Sequence, residues 1–265
     1  MNTGFERHAA GELVYYTAPS FENTGLVRHG ISTRLGGVST GETKSLNLGF
    51  KKKDTRENVR ENFRIICRGL GIDSSRLVLS DQVHGKKVHV VTAADCGKGI
   101  ERSSDIVGVD AFVCGEREAP FVVFCADCVP VLFLDTKKPA AALAHSGWRS
   151  TAKNISGEVI KTMMSQFGSE PRDILCAIGP SIGQCCFEVD EDVAKEFDRS
   201  FSMKNGNKYH VDLWGVIAKQ LTDAGVNGEN ITLAGICTCC RNDEFFSSRA
   251  QNGKMGLMGA FMELK

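Results

Sequence analysis

Eight strand-like runs interleave with four amphipathic helical stripes in this chain, and that alternation most constrains what it can fold into. Asp54-Thr55 can cap a segment that carries Val59, Phe63, Ile66 and Leu70 on one face, and Gly71 stops it. From Ser150 onward, Ile155, Val159, Ile160, Met163, Met164 and Phe167 form a second stripe, closed by Gly168. Asp190 opens a third through Val193 and Phe197. Asp212 opens a fourth through Val216, Ile217 and Leu221, ending near Gly225. The strand-like runs cover residues 76–83, 87–92, 110–114, 121–124, 130–134, 140–144, 174–178 and 231–235. Several of them are sequence neighbours with no helix between, which predicts a mixed sheet in a layered α/β or α+β domain rather than a regular barrel.

No Pro-rich or Gly/Ser-rich linker and no internal repeat interrupts the pattern, so residues 1–265 read as a single domain. The glycine-dense stretch 34–49 reads as an ordered loop, in which Leu46 and Leu48 alternate like a short buried strand. Lys plus Arg and Asp plus Glu both number 32, so no whole-protein field draws in nucleic acid or an anionic membrane. The expected partner is a small molecule; nothing in the sequence points to an oligomeric state. No apolar run approaches the ~20 residues of a membrane-spanning helix. The first residues, with Glu6, Arg7 and Glu12, lack the apolar stretch of a secretory signal. The expected location is therefore cytoplasmic, with the 11 cysteines kept as thiols.

The six histidines differ in setting. His8, His29, His89 and His210 fit structural roles. His84 and His145 each end a strand-like run and precede Gly85 and Ser146-Gly147. Cys128 sits at a strand-to-strand turn beside Asp127. Three such donors at three strand ends can converge on one side of a sheet. Two neutral imidazoles and a thiolate leave a divalent ion with an open fourth position, the pattern of a catalytic zinc site. Such an ion lowers the pKa of water from about 15.7 towards about 7. Asp127 is placed to orient a ligand or carry a proton. After His145, Gly147-Trp148-Arg149-Ser150 leads into a helix start, where Arg149 and free N–H groups could hold an anion such as phosphate. Cys125 reads as a small hydrophobe. Cys185, Cys186, Cys237, Cys239 and Cys240 stay open between packing and metal binding.

Several ordered motifs now carry a resemblance. They are His29-Gly30-Ile31-Ser32-Thr33-Arg34, Ser45-Leu46-Asn47-Leu48-Gly49, Asp81-Gln82-Val83-His84-Gly85, Asp110-Ala111-Phe112-Val113, Ala126-Asp127-Cys128 and His145-Ser146-Gly147-Trp148-Arg149, with Phe245-Phe246-Ser247 near the end. The chain resembles the YfiH-like laccase-domain proteins, also called multicopper polyphenol oxidase proteins and zinc-type purine nucleoside phosphorylases. The resemblance implies a layered α/β sandwich distantly similar to cysteine-dependent toxin deamidases. It implies zinc ligands at His84, Cys128 and His145, and phosphorolysis of adenosine, inosine, guanosine and methylthioadenosine, with adenosine deamination beside it. Some members are linked instead to editing of peptidoglycan precursors. Asn47 and Gln82 lie in motif loops that could contact the nucleoside. The sequence departs from the family at Ser248-Arg249-Ala250 and at Asn252-Gly253-Lys254, which bears on substrate preference.

Copper remains feasible at the same trio, since two His and one Cys also suit blue-copper chemistry. A multicopper cluster does not fit six histidines with no His-x-His pair. A metal-free cysteine hydrolase with Cys128 as nucleophile, and a metal-binding protein without catalysis, are the remaining readings.

Overall fold

Burial on both faces explains why the central strands read as unbroken apolar runs. In the computed structural model, which describes residues 2–265, every residue of the strand Val129–Asp135 is buried. Leu132 and Leu134 face one way and Val131 and Phe133 the other, as the two-residue period of a strand requires. Removing the Phe133 ring would cost about 3–5 kcal/mol in such a setting.

A seven-stranded mixed sheet runs in the order Asn2–Thr3, Ile231–Leu233, Ile174–Ile178, Val129–Asp135, Ala141–Ser146, Ala111–Cys114, Val88–Val91. A six-stranded sheet runs Glu6–Ala10, Leu13–Thr17, Val27–Ser32, Met258–Leu264, Phe121–Cys125, Val78–Leu79. The two pack face to face through Phe112, Leu132 and Leu143 on one side and Ile31, Phe121 and Met262 on the other. Helices Ile155–Phe167 and Leu213–Asp223 cover the outer face of the larger sheet. Helix Arg56–Leu70 covers the outer face of the smaller, with Phe63 against Phe261. The result is a layered α/β sandwich with a small three-stranded sheet, Glu188–Val189, Lys208–Val211 and Ser202–Asn205, at one side.

The helix caps follow the local chemistry. Thr55 accepts from the Asn58 amide, and Gly71 ends the helix in the left-handed region at φ 70°. Four expectations need correction. The helix read from Ser150 is two pieces, Trp148–Ala152 and Ile155–Phe167. Asn154 at φ 56° separates them and caps the second through the Gly157 amide. The stripe opened by Asp190 helps form only a one-turn helix, Glu191–Ala194. The run 76–83 keeps just Val78–Leu79 as strand, because the backbone after it turns to serve the site described below. Leu46 and Leu48 are fully buried but form no strand. Strands Glu6–Ala10, Leu13–Thr17, Val27–Ser32 and Met258–Leu264 add to those expected. In the third, a Cβ on Gly30 would meet Leu70 Cδ2 at 2.5 Å, so the Leu70 side chain would have to move aside.

Candidate metal centre

Three chain segments deliver His84, Cys128 and His145 to one end of the larger sheet. His145 lies near the end of Ala141–Ser146, opposite Pro130 on the neighbouring strand. Cys128 is the residue before that neighbouring strand. It follows Asp127, whose φ of 85° turns the chain as it crosses from the smaller sheet to the larger. His84 also takes a left-handed conformation, φ 57°.

The cause of that turn is Asp110. Its carboxylate accepts from three successive backbone amides, Val83 at 3.1 Å, His84 at 2.9 Å and Gly85 at 2.7 Å. Three N–H groups converging on one anion form a nest. The same carboxylate meets His145 Nδ1 at 2.9 Å, and the Asp110 carbonyl accepts from the His145 amide. One buried aspartate thus places both histidines. Burial raises its pKa, but the bonds from His145 and from the Gly85 and Val83 amides outweigh that and hold it below the ordinary carboxylate range.

The ligand atoms of His84, Cys128 and His145 all lie within 4.8 Å of one another, and Cys128 Sγ is 3.7 Å from His84 Nε2. A tetrahedral zinc with ordinary bond lengths needs a sulfur-to-nitrogen separation of about 3.6 Å. With Nδ1 of His145 facing Asp110, its Nε2 is left for an ion, the usual carboxylate–histidine–metal relay. A Cβ at position 147 would sit 2.7 Å from His84 Cδ2 and 3.0 Å from Cys128 Sγ, so glycine keeps the ligands accessible. The donor set and its spacing fit a zinc-type ion. Burial raises the Cys128 thiol, yet the charge and hydrogen bond of His145, with those of His84, bring it down to about 6. Burial lowers His145, while Cys128 and Asp110 lift it to about 9.

The trio opens into a cavity of about 1060 Å³, large enough for a nucleoside. Phe124, Trp148 and Phe187 supply aromatic walls, and Lys52 and Arg56 supply positive charge. Lys52 Nζ contacts Met255 Sδ at 3.8 Å, and burial pushes its pKa down.

The other residues singled out in the sequence fare differently. Asp127 lines the cavity and accepts from Thr238 Oγ1 at 2.8 Å and from the Arg249 amide at 2.7 Å. Gln82 also lines it, but its amide is consumed by both backbone groups of Phe124. Asn47 is fully buried. Its Oδ1 accepts from the Gly49 and Leu257 amides and its Nδ2 donates to Asp54, so it braces loops instead of reaching the cavity. Arg149 is exposed and stacks on the Trp148 ring at 4.1 Å, outside the cavity lining. Cys125 is buried among apolar neighbours, as a small hydrophobe. Asp110 is the residue that sequence reasoning missed, although its motif was in view.

A family model described as multi-copper polyphenol oxidoreductase laccase matches residues 28–265. The chain belongs to this laccase family. Purine nucleoside phosphorylase YlmD of Bacillus subtilis is 33% identical over 256 residues, covering 94% of this chain and 92% of that protein. The purine nucleoside phosphorylase YlmD of Geobacillus stearothermophilus is 35% identical over 242 residues, 88% of each chain. The solved structure of YlmD from Geobacillus stearothermophilus superposes with a TM-score of 0.91 at 32% identity, over 98% of both chains. Bacillus licheniformis hypothetical protein YfiH superposes with a TM-score of 0.90 at 30% identity, over 98% of this chain and 99% of that one. In this laccase-family chain, the described residues hold no cluster in which more than two imidazoles could close on one ion.

Proposed function

We propose that the chain is a zinc-dependent purine nucleoside phosphorylase acting on adenosine, inosine, guanosine and methylthioadenosine, with adenosine deamination as a second reaction. The observation that carries this reading is the His84, Cys128 and His145 trio, braced by Asp110, at a nucleoside-sized aromatic cavity. Relatives that match most of the chain bear the name purine nucleoside phosphorylase, which supports it.

Zinc bound by two imidazoles and one thiolate supplies Lewis-acid polarisation and acidifies water towards neutral pH. Asp110 keeps His145 in the tautomer whose Nε2 faces the site. The purine stacks against Phe124, Trp148 or Phe187, whose faces exclude water. Lys52 and Arg56 offset the charge of phosphate within the same cavity. Asp127, held by the Thr238 hydroxyl and the Arg249 amide, stands beside Cys128 as the proton acceptor.

Metal content and turnover decide the matter together. Protein purified without added metal should carry zinc at His84, Cys128 and His145. With adenosine and phosphate it should release adenine and ribose 1-phosphate, and without phosphate it should form inosine. Cys128→Ala should lose that zinc and both activities while keeping its fold. Rapid copper-dependent oxidation of catechols, with adenosine untouched, would replace this reading with the oxidase one. The closeness of Cys128 Sγ to the rings of His84 and His145 favours one second reading, a metal-free cysteine hydrolase. Full turnover by stripped protein would select it.

A further inference from the structure

A second cluster of metal-binding character lies apart from the first. Cys185 and Cys186 sit in the loop between Ile174–Ile178 and Glu188–Val189, and Cys237 and Cys240 in the turn that follows Ile231–Leu233. The four sulfurs all lie within 4.8 Å of one another. Cys240 Sγ is 3.6 Å from Cys185 Sγ and 3.4 Å from Cys186 Sγ. Four sulfurs around one tetrahedral zinc, at metal–sulfur bonds of ~2.3 Å, stand about 3.8 Å apart. The observed spacing requires only a small adjustment.

Three further features favour an ion over simple packing or a disulfide. Cys240 is approached by two sulfurs at once, so the cluster does not resolve into one bonded pair. Cys237 and Cys240 have the two-residue separation of a zinc knuckle. The Gly183 amide donates to Cys237 Sγ at 3.3 Å, a bond that favours the thiolate a metal requires. The backbone already holds the two loops in register. Ser181 donates to the Ile236 carbonyl and Thr238 to the Ser181 carbonyl, and Cys186 and Phe187 turn back onto Gly183.

We propose that Cys185, Cys186, Cys237 and Cys240 bind a second, structural zinc ion, distinct from the one at His84, Cys128 and His145. Binding displaces the thiol protons to solvent, with no change of oxidation state. The ion joins two loops that build one wall of the cavity. Ile182 and Phe187 line that cavity from the first loop, and Thr238 of the second holds Asp127. Arg249 clasps the same wall through the Cys186 and Glu188 carbonyls. Closing the loops with an ion would fix the position of Phe187 and of Asp127.

The test counts zinc in the full-length protein prepared under reducing conditions. Wild type should hold two zinc ions per chain. Cys240→Ser, at an exposed position, should hold one and stay folded by circular dichroism; Cys185→Ser should do the same. In His84→Ala/His145→Ala the remaining site should take cobalt(II) with the thiolate-to-cobalt absorption and ligand-field bands of a tetrahedral tetrathiolate. Cobalt in that double variant separates this proposal from the reading of the first site. A single zinc in wild type, retained by Cys240→Ser, would overturn the proposal. So would a Cys185–Cys240 or Cys186–Cys240 disulfide in the reduced preparation, or an absence of thiolate bands in the cobalt-treated double variant.

Discussion

Asp110 Oδ1 lies 2.9 Å from His145 Nδ1 while the same carboxyl group anchors the amides on either side of His84. One carboxylate therefore sets the orientation of two candidate ligands that are far apart in sequence. Asp110→Asn should weaken zinc binding at this site by about 10–100-fold, the usual consequence of losing an outer-sphere partner. Competition with a chromophoric chelator would measure it. An unchanged affinity would mean that Asp110 serves only the loop.

Gly147 tests the space around the ligands. Its φ of −67° is open to any residue, so Gly147→Ala carries no backbone strain. The added Cβ instead meets His84 and Cys128. Turnover of adenosine with phosphate should drop at least about tenfold in kcat/KM, ~1.4 kcal/mol of transition-state stabilisation, with the circular dichroism spectrum preserved. A variant as active as wild type would show that the trio has room to spare.

The anion site can be located by comparing two cations. Arg149→Lys should change phosphorolysis little, because the guanidinium lies on Trp148 outside the cavity. Lys52→Met should raise the KM for phosphate about tenfold, or ~1.4 kcal/mol of lost binding. Rates over a range of phosphate concentrations distinguish the two; the opposite ranking would return the phosphate to the helix start at Arg149.

His29 makes stability depend on pH in a defined direction. It is buried, and its Nε2 accepts from the Ala18 amide. Burial lowers its pKa from 6.5 to about 4. Between those values the unfolded chain binds a proton that the folded chain refuses, so stability falls as the pH drops from 6.5 to 4. Above 6.5 both states are neutral and the effect vanishes. The loss is of order 3 kcal/mol. His29→Gln keeps an acceptor without a titrating ring. In urea unfolding at pH 7 and pH 4.5, the difference between variant and wild type should shift in favour of the variant at the lower pH. A constant difference would show that His29 is not the titrating group.

Local chemistry in the sequence was enough to place Thr55, Gly71, Asp212 and Gly168 at helix ends and Ile174–Ile178 as a strand, because capping and apolar period act over a few residues. It also marked His84, Cys128 and His145, since donors at strand ends before turns stand out among only six histidines. What it could not supply was register. Asp110 faces both histidines only because Ala111–Cys114 pairs with Ala141–Ser146 and with Val88–Val91, which returns distant chain to one sheet end. The strand Met258–Leu264 was hidden because Gly259 and Glu263 interrupt its apolar run, and the pairing of Glu263 with Arg28 that lets a carboxylate lie buried there is a tertiary contact. Arg149 looked like an anion ligand beside His145, but its guanidinium stacks on the neighbouring Trp148 ring outside the cavity lining. Cys185 and Cys186 meet Cys237 and Cys240 because Ile174–Ile178 and Ile231–Leu233 are parallel neighbours that end side by side. Residue type and local period set which groups could do chemistry; strand pairing across the sheets decided which of them meet.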